Sequence, residues 1–109
     1  MNGFILVNKE SGVTSNSIVQ QIKKTIKAKK VGHLGTLDPL ASGLLILAVN
    51  RATKFSSYFL ESDKTYDVQF ELGTSTDTED STGNIIYQSN KLPKKPEVKK
   101  ILDLSLIHI

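Results

Sequence analysis

Apolar residues along this chain recur in two rhythms, one helical and one alternating, separated by short polar stretches. "GFILVNK" opens as a brief apolar run that predicts a strand from Phe4 to Val7. "SGVTSNS" follows with turn chemistry ending in helix-capping residues. Ile18, Val19, Ile22 and Ile26 then repeat at helical spacing, which predicts an amphipathic helix from about Ser15 to Ala28. Ser17 with Gln20 reads as its capping box. The helix ends in "KAKK", where cations suit the negative end of the helix dipole.

"GLLILAV" predicts a buried strand from Leu44 to Val49, and "RATKFSSYFL" a second helix with Ala52, Phe55 and Phe59 on one face. In "TYDVQFEL" the alternation is strict. Tyr66, Val68, Phe70 and Leu72 fall on one side, and Asp67, Gln69 and Glu71 on the other, as in a half-exposed strand. The polar loop "GTSTDTEDSTGN" then leads to a returning strand, "NIIYQ", so the pair reads as a long-looped hairpin. Strand, helix, strand, helix and hairpin together predict an α/β (α+β) fold with a mixed, largely antiparallel sheet and flanking helices. "KLPKKPEVKK" reads as a basic linker entering a helix. The closing "DLSLIHI" stops abruptly, without a cap, and reads as chain cut short or joined to foreign sequence, a final strand being the alternative. The expected division is therefore residues 1–90, the ordered part, and residues 91–109, linker and tail.

Composition narrows the class. A chain of 109 residues with 39% hydrophobic and 23% charged residues fits a globular protein and not a disordered one. The absence of cysteine excludes a disulfide scaffold or a thiolate metal site. No apolar run is long enough to span a bilayer, and the N-terminus is wrongly flanked for a secretory signal, so a cytoplasmic protein without a membrane partner is expected. The net charge of +3 is modest but unevenly placed. Residues 1–30 hold six lysines against Glu10 alone, residues 61–80 hold seven acids against Lys64, and a second lysine cluster runs from Lys91 to Lys100. That polarity suits a polyanion held on one side. From charge alone, a solubilising surface is the favoured reading.

The candidate chemistry lies in "VGHLGTLDPLASGLLIL". Asp38 precedes Pro39, which biases it away from helix, so an aspartate N-cap on the turn "PLAS" is the simplest local reading. A cap does not require the preceding Gly-His-Leu-Gly-Thr-Leu, however. Gly32 and Gly35 permit close approach of a ligand, His33 offers a planar ring, and Asp38 would sit on a rigid turn where partial desolvation tunes a carboxylate. The acidic loop from Asp77 fails as a calcium site, because Thr82 and Gln88 stand where an EF-hand needs glycine and glutamate. There is no Gly-x-Ser-x-Gly elbow, P-loop or Gly-x-Gly-x-x-Gly.

"GHLGTLDPLASGLL" resembles the catalytic motif of the TruB family of tRNA pseudouridine synthases. "GFILVNKESGVTSNSIV" and "ATKFSSYFLESDKTYDVQFELGTSTDTEDSTGNII" resemble, in the same order, the family's opening strand and helix and its tyrosine strand with the Thr-Asp-Thr loop. The resemblance covers residues 3 to about 88 and departs after about Lys100. It implies an incomplete pseudouridine synthase catalytic fold, acting as a monomer on the T arm of tRNA with no cofactor and no metal. It implies that Asp38 is catalytic, that Tyr66 stacks on the target base, and that His33 helps hold the opened loop. Gly32, Gly35 and Thr36 belong to the same substrate-binding motif, and Lys9 and Lys64 match lysines assigned to phosphate contact or loop support. An arginine partner for the aspartate, the rest of the uridine pocket and often an RNA-binding domain are expected in a later part of such proteins. The rival reading is a non-catalytic RNA-binding fragment using the basic helix and the Gly-His-Leu-Gly loop.

Overall fold

In the computed structural model, which describes residues 1–107, the chain is mixed α/β and divides into two compact units, Met1–Thr65 and Tyr66–Ile109. The first unit is built on a three-stranded antiparallel sheet. Strands β1 (Gly3–Lys9), β2 (Val31–His33) and β3 (Gly43–Val49) lie in the order β1-β3-β2. Gly3 pairs with Val49 and Lys9 with Gly43, while Val31 pairs with Val49 and His33 with Leu47. The two outer strands therefore begin together at one end of the sheet, and β2 stops opposite Leu47 while β1 continues to the other end. β2 was not anticipated, because "VGH" is too short and too glycine-rich to show an alternation.

Helix α1 (Ser15–Ile26) covers one face of this sheet. Val19 packs with Leu45 and Leu47, bordered by Ile5, Val7, Ile18 and Ile22. These are the alternate positions of two strands and the i, i+3, i+4 stripe of one helix, so one apolar face of each element is satisfied by the other. The helix begins one turn earlier than the anticipated Ser17–Gln20 box requires. Its N-cap is Thr14, whose hydroxyl accepts from the Ser17 amide at 3.0 Å, and Ser17 returns a bond from its own hydroxyl to the Thr14 carbonyl. It also stops before Ala28. Lys27 adopts a left-handed conformation at φ 54°, and its amide and that of Ala28 close the last carbonyls.

The opposite face is covered over part of its length. A 3-10 segment (Asn50–Phe55) runs into a short helix α2 (Ser56–Leu60), burying Ala52 against Leu34 and Ala48 and setting Phe59 against Phe4 with ring centroids 5.0 Å apart and planes tilted by 53°. Phe55, expected on the same buried face, is instead exposed beside Tyr58. The stripe marks a face and not what covers it: Phe55 stays on the side of Ala52 in the 3-10 turn, but the apolar neighbours gathered at Ala52 do not extend to it.

The second unit contains the hairpin β4 (Thr74–Thr76) and β5 (Ile85–Gln88), followed by helix α3 (Lys95–Ile107). The returning strand is found as anticipated, but its partner is not "TYDVQFEL". That segment carries no strand, and Tyr66, Val68, Phe70 and Leu72 are all exposed. An alternating pattern supplies a face, not a neighbour, and among the described residues no strand offers this backbone a ladder. The closing "DLSLIHI" enters α3 through Ile107 and is not a strand; its last two residues, His108 and Ile109, lie outside the described residues. No helix among the described residues is long and apolar enough to cross a membrane.

The hairpin loop is tied by Asp80, whose carboxylate accepts from the Thr78 and Thr82 hydroxyls and the Thr82 amide. Thr78 foremost, and then Thr82, hold the Asp80 carboxyl below the ordinary carboxylate range. The group is depressed in the fold, so the order it lends the loop is complete above the ordinary aspartate value. That order is lost as pH falls through the lowered one. A carboxyl-detected NMR titration should place the Asp80 midpoint below that of an Asp in a reference peptide, and Thr82→Val should move it back up. In the first unit, Leu47→Ala should cost about 2–5 kcal/mol in urea denaturation, because Leu47 is fully buried. Leu6→Ala, at a 69% exposed position of the same sheet, should cost far less.

Candidate active site

The Asp38 loop leaves β2 and returns as β3, and its backbone is held by the segment between β1 and α1. Lys9 is the centre of that grip. It stands at an inward position at the end of β1, only 1% exposed, and a buried ammonium needs acceptors for its protons. It finds three carbonyls: Val13 at 2.7 Å, Glu10 at 2.9 Å and Pro39 at 3.1 Å. Two belong to its own turn, and the third lies thirty residues on, directly after Asp38.

Four more bonds close the same seam. The Gly12 amide donates to the Pro39 carbonyl at 2.7 Å, and the Ser11 hydroxyl to the Leu40 carbonyl at 2.7 Å. Ser15, buried at the first turn of α1, donates to the Leu37 carbonyl at 2.7 Å and accepts from the Leu37 amide at 3.0 Å. Leu37 packs at the margin of the α1 core. Residues 37, 39 and 40 are thus fixed, and Asp38 stands between fixed neighbours.

Its side chain is left free. Asp38 is exposed, and among the described residues no hydrogen bond reaches its carboxylate. The local alternative of a capping aspartate is not what the fold uses: "PLAS" forms a turn closed by the Ala41 amide on the Asp38 backbone carbonyl at 3.0 Å, with no side-chain cap. Nor is the carboxylate partly desolvated, as the sequence suggested. The clamp touches the loop through its backbone, which leaves the tip in solvent.

The other motif residues fall around the same loop. Gly32 and His33 are half-buried in β2, Gly32 opposite Ala48 in the ladder, so Gly-His-Leu-Gly is half strand and not an open cradle. The Leu34 amide continues the pairing to the Ile46 carbonyl at 2.8 Å, and its side chain is buried. Gly35 then turns the chain at φ 122°, a conformation that disfavours any side chain. The exposed Thr36 sets its hydroxyl 3.4 Å from Nδ1 of His33. Lys64 lies beside Gly35, where an added Cβ would meet its Cε at 3.6 Å, and its ammonium caps the α2 end through the carbonyls of Phe59, Leu60 and Ser62. Both lysines therefore support loops in this fold. Tyr66 is an exposed residue of the second unit. The residues that sequence reasoning missed are Ser11, Gly12 and Ser15. Their signal was "SGVTS", small hydroxyl and glycine residues legible only as a turn until their partners across the seam were known.

The Asp38 loop lies within a segment that matches a known family. Residues 23–105 match the model of the TruB family pseudouridylate synthase N-terminal domain. The chain belongs to the TruB family. It is 50% identical over 103 residues to a tRNA pseudouridine synthase B of Acholeplasma laidlawii, covering 94% of this chain and 37% of that protein. It is 47% identical over 105 residues to the one from Bacillus subtilis, covering 94% and 34%, and 45% identical over 86 residues to the one from Aquifex aeolicus, covering 79% and 30%. The chain spans about a third of the length of these curated TruB relatives.

The clamp makes a direct prediction. Lys9→Met takes the ammonium from the Glu10 and Val13 carbonyls, leaves Pro39 only the Gly12 amide, and should cost about 1–3 kcal/mol in chemical denaturation. It should also speed hydrogen exchange at the Gly12 and Leu37 amides. Lys9→Arg should not restore protection, because a planar guanidinium cannot reproduce a three-way ammonium contact in a filled site.

Proposed function

We propose that this chain supplies the catalytic aspartate of an enzyme that isomerises uridine to pseudouridine in the T loop of tRNA, at position 55. The observation that carries the reading is the unengaged Asp38 carboxylate on a backbone held from both sides. Isomerisation breaks the bond between N1 and the sugar, turns the base over, and joins C5 to the same anomeric carbon with loss of the C5 proton. It needs one ionised carboxylate against the sugar and base, as nucleophile or as proton acceptor, and a rigid mount that keeps it there.

The rest of the motif takes supporting roles. His33, oriented by Thr36, is suited to contact a loop from which a base has been withdrawn, and Gly35 leaves room for backbone approach. Tyr66 offers an exposed ring for stacking on the flipped base. Lys9 and Lys64 serve by holding loops. On this reading the protein acts in the cytoplasm, as a monomer on the T arm of tRNA. A purely RNA-binding role for Gly-His-Leu-Gly gains little support, because half of that tetrapeptide is committed to the sheet.

The test uses the complete protein and a T-arm RNA tritiated at uridine C5. Wild type should release tritium from one uridine. Asp38→Asn should lower release by roughly 10²–10⁴-fold or more, with RNA affinity and thermal stability close to wild type. Undiminished release from Asp38→Asn would remove Asp38 from the chemistry.

A further inference from the structure

We propose that the end of the first unit opposite the Asp38 loop is a second RNA contact surface, gripping the phosphate backbone of the stem whose loop is presented to Asp38. The inference rests on the RNA-substrate reading above and extends it to a site of different composition.

Between Ser11 and Leu60 the sequence holds seven cations and one carboxylate, Asp38 itself. The fold gathers the cations at one end. Lys23 and Lys24 occupy the last turn of α1, and Lys27 caps it. Lys29 and Lys30 lead into β2, and Arg51 and Lys54 lie in the 3-10 segment just after β3. This is where β1 and β2 begin and β3 ends. Asn50 locks the junction. Its amide donates to the Lys30 carbonyl at 2.7 Å, its side-chain oxygen accepts from the Lys30 amide at 3.1 Å, and its side-chain nitrogen donates to Met1 at 2.6 Å. The neighbouring Arg51 amide is held by Asn2 at 3.0 Å. Lys30 and Arg51 thus flank one rigid node, and both are exposed.

Lys27 gives an independent indication. Its left-handed conformation is one that glycine adopts freely and a residue with a Cβ does not, yet the position carries another charge. Lys9 takes no part, being buried at the other end. The composition favours nucleic acid over protein as the partner, because protein interfaces are depleted in lysine whereas phosphate contacts draw on it. The spacing fits as well. The seven residues of β3 separate the basic end from the Asp38 end by roughly 20 Å, the length of about six base pairs of stem.

The experiment compares two hairpins with the same loop and stems of about four and about eight base pairs, binding the full chain in fluorescence anisotropy across a salt series. Wild type should prefer the longer stem by tenfold or more. The combined variant Lys24→Gln, Lys27→Gln, Lys29→Gln, Lys30→Gln, all at exposed positions and checked for unchanged circular dichroism, should lose that preference. Its affinity for the short stem should stay within about twofold, and its salt slope on the long stem should fall by about one per lysine engaged. A preserved long-stem preference overturns the proposal. So does an equal loss on both stems, which means diffuse attraction, and so does a matching loss of binding to anionic vesicles without any stem-length effect. Asp38→Asn separates the two readings: it should keep the long-stem preference. A protein that prefers the long stem but shows no dependence on Asp38 in turnover leaves this surface standing while the catalytic assignment falls.

Discussion

One buried ammonium group organises the first unit. Lys9 ends a strand whose other inward residues are apolar, and its charge is tolerable there only because carbonyls converge on it. Two of those carbonyls come from the turn it belongs to, which any local sequence could supply. The third comes from Pro39 and converts a local cap into a tie between the first strand and the loop before the third. Ser15 and Leu37 make the second tie, exchanging two bonds at the first turn of α1. Together they fix the backbone on both sides of Asp38 without using its carboxylate. Rigidity at the backbone and freedom at the side chain are what a reacting group needs.

The same division shapes the rest of the unit. α1 packs its apolar stripe on the sheet through Val19, Leu45 and Leu47, and that packing holds the N-terminal turn from which Ser15 reaches Leu37. At its other end the helix is capped by Lys27 and followed by a cationic junction around Asn50. The sheet therefore separates two chemistries, the carboxylates of Asp38 and Glu10 at one end and concentrated positive charge at the other. A polyanion whose reactive nucleoside must approach a carboxylate benefits from that separation, because the attraction that retains it is kept apart from the reacting group.

How much of this was legible in the sequence depended on whether the partner of each residue lay nearby. The α1 stripe and the strand "GLLILAV" were readable because periodicity reports a face, and each face found its complement within the unit. The Asp38 motif was readable as a likeness to the TruB family, because the run from Gly32 to Leu45 is long and distinctive; taken locally, its Asp-Pro step reads first as a cap. The clamp was not readable. Ser11, Gly12 and Ser15 look like turn residues until the loop more than twenty residues away is known, and a lysine at the end of an apolar strand gives no local sign of being buried. "TYDVQFEL" failed for the complementary reason, since its alternation is real but no described strand pairs with it. Phe55 failed because a stripe marks a face without showing how far the neighbouring core extends along it.

The central claim is that Asp38, held by Lys9 through Pro39, is the carboxylate that meets the sugar. The most direct measurement is a crystal structure of the complete protein with a T-arm RNA carrying 5-fluorouridine at the target, which has no C5 proton to lose. The account predicts an Asp38 carboxylate oxygen within bonding distance or about 3.5 Å of the anomeric carbon, with the Lys9 ammonium still on the Pro39 carbonyl. Another carboxylate at that carbon, or an Asp38 loop released from Lys9 when RNA is bound, would contradict it.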